Sequence, residues 1–109
     1  MCVVGLQEFV DLDAKALLRE ATDMHVARRR ECQARLGAAI ARKHGGVSYV
    51  AVRAEQMVGV LLLVFVRPEL AAEIKHLHVD TVKTGFGGNA GNKGGVAVRV
   101  RVGTAELCF

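Results

Sequence analysis

The chain has 109 residues, room for one small domain or a part of one. Its composition, 51% hydrophobic and 24% charged, excludes a disordered segment, and its longest apolar run, Met57 to Val66 broken only by Gly59, is far short of the roughly 20 residues of a membrane span. The net charge of +4 suits an anionic partner, although eight of the 15 basic residues lie between Lys15 and Lys43, where the solvated face of a helix accounts for them. The three cysteines, Cys2, Cys32 and Cys108, form no C-x-x-C pair, so neither a disulfide framework nor a zinc ribbon is expected. They read as small buried hydrophobes of a reducing, cytosolic chain. No signal peptide is expected in these residues, since Met1-Cys2-Val3-Val4 has no basic start and Glu8 follows too soon.

In chain order, Cys2 to Leu6 reads as a buried strand, with Gln7 and Glu8 placing polar groups at its C-terminal end. Asp11 and Asp13 are candidate N-caps for a helical stretch from Ala14 to Lys43. That stretch predicts two helices, or one with a break near Thr22-Asp23. Cys32, Leu36, Ala39 and Ile40 form its apolar stripe, and His44-Gly45-Gly46 its stop. The period then changes. Val47 to Arg53 predicts a strand, Ala54 to Gln56 a turn, and Met57 to Val66 a strand apolar on both faces, as in the middle of a sandwich. Arg67-Pro68 ends it, and Glu69 to Glu73 predicts one helical turn. Strands follow at Ile74 to Lys83, at Val96 to Val102 with the valines on one face and Ala97, Arg99 and Arg101 on the other, and from Ala105 to Phe109. Strand, helix and then at least four strands favour a hairpin-rich sheet with its helices on one face.

Half of the 12 glycines lie between Gly85 and Gly95, a density that suits close backbone approach, and Lys93 among them suggests an anion there. The Walker pattern fails, because Asn92 precedes Lys93 and Gly94 follows it. Gly85 to Ala90 fits the dinucleotide fingerprint in letters only, since a strand follows where a helix is required. A long hairpin connection explains the glycines equally well. Glu8 at a strand end is either a surface carboxylate or a ligand for a hard cation that keeps its waters. His76 and His78, two apart on a strand, would supply half of a metal site or stand as surface histidines.

Two segments together are more specific. Val4-Gly5-Leu6-Gln7-Glu8-Phe9-Val10-Asp11-Leu12 resembles the metal-site strand of inositol polyphosphate 5-phosphatases. Val79-Asp80-Thr81-Val82-Lys83-Thr84-Gly85, followed by Gly91-Asn92-Lys93-Gly94-Gly95-Val96-Ala97-Val98-Arg99, resembles the family's central signature. Glu55 to Val60 and Val64 to Pro68 match between them in order and spacing, so the resemblance runs from Val3 to Phe109. The Val79 to Gly85 run and Arg67-Pro68 lean to the synaptojanin-like branch, whereas Gly94-Gly95 is also found in the Lowe-syndrome-type branch.

The resemblance implies a four-layer α-β-β-α sandwich of the endonuclease/exonuclease/phosphatase (DNase I-like) type. It implies Mg²⁺-dependent hydrolysis of the 5-phosphate of phosphoinositides or soluble inositol polyphosphates. Carried over by position, Glu8 is the Mg²⁺ ligand, Asn92 and Lys93 contact the substrate, and Phe86 faces lipid. The family setting is cytoplasmic and peripheral to membranes, with no transmembrane segment and no nucleic acid as partner. Residues 1–109 would be the N-terminal part of the catalytic domain and inactive alone, because the family's catalytic His, its Gly-Asp-x-Asn motif and its Ser-Asp-His segment have no counterpart here. Asp13 stands where many relatives carry Asn. Two rivals stay open: a Mg²⁺-dependent nuclease of the same superfamily, against which the Asn92-Lys93-Gly94 run argues, and a non-catalytic anion-binding module.

Overall fold

A computed structural model of the chain describes residues 1–10, 23–85 and 90–109. The strand at Cys2–Leu6 is β1, and the helix Asp23–Lys43 is α1. After them come β2 (Val50–Met57), β3 (Val60–Val66), a one-turn helix α2 (Pro68–Ala71), β4 (Ile74–Gly85), β5 (Ala90–Val102) and β6 (Ala105–Cys108). The candidate caps Asp11 and Asp13 and the expected break at Thr22 lie outside the described residues.

Among the described residues the strands form two antiparallel sheets of three, ordered β1-β3-β2 and β4-β5-β6. The single hairpin-rich sheet expected from the pattern is therefore corrected to two stacked ones. The reason lies in β3. Its apolar residues on both faces demand cover on both sides. Leu61, Leu63 and Phe65 pack with Ile40, Leu36 and Cys32 of α1, while Val64 and Val66 pack with Val98 and with Ile74, Leu77 and Val79 of the second sheet. Leu61, Leu63, Val64 and Val66 are fully buried. Helix, sheet and sheet are three layers of the implied sandwich. The outer face of the second sheet exposes Arg99, Arg101 and Glu106.

Four local expectations change. Ala54 to Gln56 continues β2, and the turn falls at Val58-Gly59, where Met57 pairs with Val60. A two-residue hairpin needs positive φ, which Val58 adopts at 45°. Ala39 is exposed, because it sits at the rim of a stripe centred on the Cys32, Leu36, Ile40 row. Half of the glycine-rich connection is strand: β5 begins at Ala90, leaving only residues 86–89 between β4 and β5. Cys2 and Cys32 are half-buried as small hydrophobes, but Cys108 is exposed on the end strand β6. The helix stop is as expected, with Gly45 and Gly46 at φ of 69° and 83° and the Gly46 N–H donating to the Ala41 carbonyl at 2.8 Å.

Candidate active site

Glu8 stands two residues past the end of β1 and takes a left-handed backbone, φ 52°. A non-glycine residue holds that conformation only where its neighbours impose it. Here Phe9 does so. Its N–H donates to the Gly59 carbonyl at 2.9 Å, tying the bend to the β2–β3 turn, and its ring packs on the α1 core under the Arg28 guanidinium, 5.6 Å from the ring centroid. Val10, 3% exposed, anchors the far side. The Glu8 side chain is exposed, and among the described residues its carboxylate has no hydrogen-bond or ion-pair partner.

Lys93 reaches the same end of the molecule from the other sheet. Its route is a bulge. Lys83 pairs with Gly94 and Gly85 with Ala90, so residues 91–93 of β5 stand opposite Thr84 alone. Bulges of this kind re-aim side chains at the rims of sheets. Asn92 and Lys93 both belong to it, and Lys93 is exposed. Gly94 closes the bulge at φ 151°, and a Cβ there would come within 2.9 Å of Met57 Cε. Met57 belongs to the same hairpin whose Gly59 holds Phe9. Glu8 and Lys93 therefore flank the β2–β3 turn, one from each sheet.

Beside that turn a groove of about 220 Å³ is lined by Glu55, Gln56, Met57, Val58, Thr81 and Lys83, with neither Glu8 nor Lys93 in its lining. Gln56 Nε2 donates to the Val58 carbonyl at 3.0 Å and braces the turn, and Arg53 pairs with Glu55 at 2.6 Å. Among these lining residues, a signal in the sequence is carried by those on β4. Its inward row runs Leu77, Val79, Thr81, Lys83, turning from apolar to polar at the site end, while Val82 on the outer face is 57% exposed. At this end of β4 a half-buried lysine takes the groove side and an exposed valine the open side.

His76 and His78 do not form a site. A register shift lies between Lys75 and His78, and His76 within it sits at φ 53°, so the alternation that would set the two imidazoles on one face is broken. Among the described residues no group of three or more His, Cys, Asp or Glu is placed to hold a metal. That leaves Glu8 among the sequence candidates for a metal ligand, and an exposed carboxylate without a partner among the described residues suits a hard cation that takes few protein oxygens and keeps several waters. Phe86 lies outside the described residues. No helix among the described residues is long and apolar enough to cross a membrane.

The family profile described as Endonuclease/Exonuclease/phosphatase family 2 matches residues 1–109. The chain is 41% identical over 106 residues to synaptojanin-1 of Rattus norvegicus, covering 97% of this chain and 6% of that protein. It is 35% identical over 108 residues to inositol-1,4,5-trisphosphate 5-phosphatase 1 of Schizosaccharomyces pombe, covering 98% of this chain and 10% of that protein. Among solved structures, the inositol polyphosphate 5-phosphatase domain of SpSynaptojanin, in complex with inositol (1,4)-bisphosphate and a calcium ion, superposes with a TM-score of 0.75 at 34% identity. That superposition covers 98% of this chain and 28% of the solved one. The chain thus spans about a tenth or less of the curated relatives it matches.

Proposed function

The chain belongs to the endonuclease/exonuclease/phosphatase family and is homologous to its synaptojanins and inositol polyphosphate 5-phosphatases, and from that premise we propose that it forms the N-terminal part of a catalytic domain that removes the 5-phosphate of phosphoinositides or soluble inositol polyphosphates with Mg²⁺. The observation that carries this reading is the juxtaposition at one end of the sandwich. The unpaired Glu8 carboxylate leaves the first sheet there, and the Lys93 bulge leaves the second. Glu8 holds the metal, which when bound neutralises charge building on the phosphoryl oxygens. Lys93 contributes a point charge to a phosphate remote from the bond that breaks, with Asn92 beside it. The strained Glu8 backbone keeps its carboxylate in place before substrate arrives.

Phe86 would face lipid where the domain sits on a membrane surface from the cytoplasmic side. Residues 1–109 alone are inactive in this reading, because one carboxylate does not complete a metal site and the family's catalytic His and Gly-Asp-x-Asn motif have no counterpart in these residues.

The test is phosphate release from inositol 1,4,5-trisphosphate by the full protein that carries this segment, with and without Mg²⁺. Metal-dependent release that Glu8→Gln abolishes is the expected result. Hydrolysis of DNA in place of the inositol phosphate would reassign the protein to the nuclease side of the superfamily, and phosphate release by residues 1–109 alone would refute the division of the site.

A further inference from the structure

We infer that Gly94 and Met57 are positioning residues that fix where Lys93 stands relative to the Glu8 end of the first sheet; this rests on the reading of Lys93 as a phosphate contact. At Gly94 a Cβ would lie 1.9 Å from the Val82 carbonyl oxygen and 2.9 Å from Met57 Cε, both inside the 3.0 Å limit that real Cβ atoms respect. Gly94 also holds φ 151°, which side-chain-bearing residues rarely adopt. A side chain here would thus meet the backbone of its own sheet on one side and, on the other, the end of the Met57 side chain from the other sheet.

A hairpin that needed glycine only to turn would place it between the strands, in residues 86–89. Gly94 is instead a paired position, opposite Lys83, at the base of the bulge that carries Lys93. Met57 is 4% exposed and lies beside the turn whose Gly59 carbonyl receives the Phe9 N–H. A continuous line of contacts therefore runs from the Glu8-Phe9 bend through the β2–β3 turn and Met57 to Gly94. A lysine ammonium ends a long flexible stem, so its average position depends on how well the base of that stem is fixed. The missing side chain at Gly94 lets β5 close onto Val82 and Met57, and this contact sets the spacing between the two halves of the site.

The experiment is steady-state kinetics of the full protein on inositol 1,4,5-trisphosphate, with thermal melting of each variant. Lys93→Ala raises KM about tenfold, the size of one charged contact, with kcat nearly unchanged. Gly94→Ala raises KM to a similar degree, and adding it to Lys93→Ala raises KM no further, since both act through one contact. Met57→Leu, which keeps volume but changes shape beside Gly94, raises KM about threefold at an unchanged melting midpoint and is silent in the Lys93→Ala background. If Gly94→Ala does not fold, Met57→Leu decides by the same comparison. Additive effects on KM, or no effect of Gly94→Ala and Met57→Leu where Lys93→Ala has one, overturn the positioning role alone. An unchanged KM in Lys93→Ala overturns both the positioning role and the substrate reading of Lys93.

Discussion

The two sheets of this chain are built from similar β-branched residues, yet they are finished differently. The first, β1-β3-β2, is covered on one face by α1 and on the other by the second sheet, and its middle strand is buried on both sides. The second, β4-β5-β6, buries Val98 and Val100 inward and turns Arg99, Arg101 and Glu106 outward. On that outer face Arg99 Nη2 donates to both Glu106 oxygens at 2.8 Å, and Arg101 Nη2 donates to Oε1 at 3.0 Å. The difference separates stability from charge. Burial scales with apolar area removed from water, whereas exposed ion pairs are screened and contribute little. The groove beside the β2–β3 turn lies where the distinction breaks down, at the end of β4 where the row carrying Thr81 and Lys83 becomes polar.

The comparison breaks most visibly in the first sheet. Phe65→Ala empties the layer between β3 and α1 and should cost about 3–5 kcal/mol in urea unfolding, enough to unfold a marginal domain. Arg101→Ala on the outer face should leave the midpoint where it was. A small loss for Phe65→Ala would mean that α1 is not seated as described.

Within the second sheet, Val98→Thr puts a hydroxyl into the closed interface and should cost about 1–3 kcal/mol. Val82→Thr, the same change at a residue 57% exposed, should be close to neutral. Equal effects would show that the outer face is covered in the intact protein.

At the site end the expectation reverses, with activity responding and stability not. Glu8→Gln should lower turnover by about a hundredfold in the intact domain and weaken the Mg²⁺ dependence, because a lost ligand charge acts on the chemical step, while the melting midpoint holds. A midpoint that falls with the activity would return Glu8 to a structural part.

The smallest effect concerns Glu106. Hydrogen bonds from Arg99 and then Arg101 hold its carboxyl below the ordinary carboxylate range, and the same Arg99–Glu106 hydrogen bond raises the arginine. A depressed acid contributes stability above the ordinary carboxylate range and loses it as pH falls through the lowered value. Stability should therefore decline slightly at acid pH, and Glu106→Gln should remove that part of the decline. An identical acid limb in the variant would show that the cluster is silent.

Much of this was readable in the chain. The doubly apolar run ending at Val66 announced a strand covered on both faces, the alternation of Val96 to Val102 gave both faces of β5, and Gly45-Gly46 gave the helix stop. The quoted segments around Glu8 and around Lys93 pointed to the family. Other features were not readable. The β2–β3 turn is not legible, because Val58 is a poor turn residue by its own preference and takes φ 45° only where the ladder on either side fixes the register. The bulge at residues 91–93 is hidden in a glycine-rich run that carries no alternation to reveal a strand.

The sequence by itself determined which residues needed cover and which could be left in water, because hydrophobic periodicity is local and survives without knowledge of partners. It could not determine that Met57 of one hairpin meets Gly94 of another, or that Glu8 and Lys93 flank the same turn. Those depend on stacking two sheets whose strands are far apart in the chain, and only the packed structure selects among the ways of doing so.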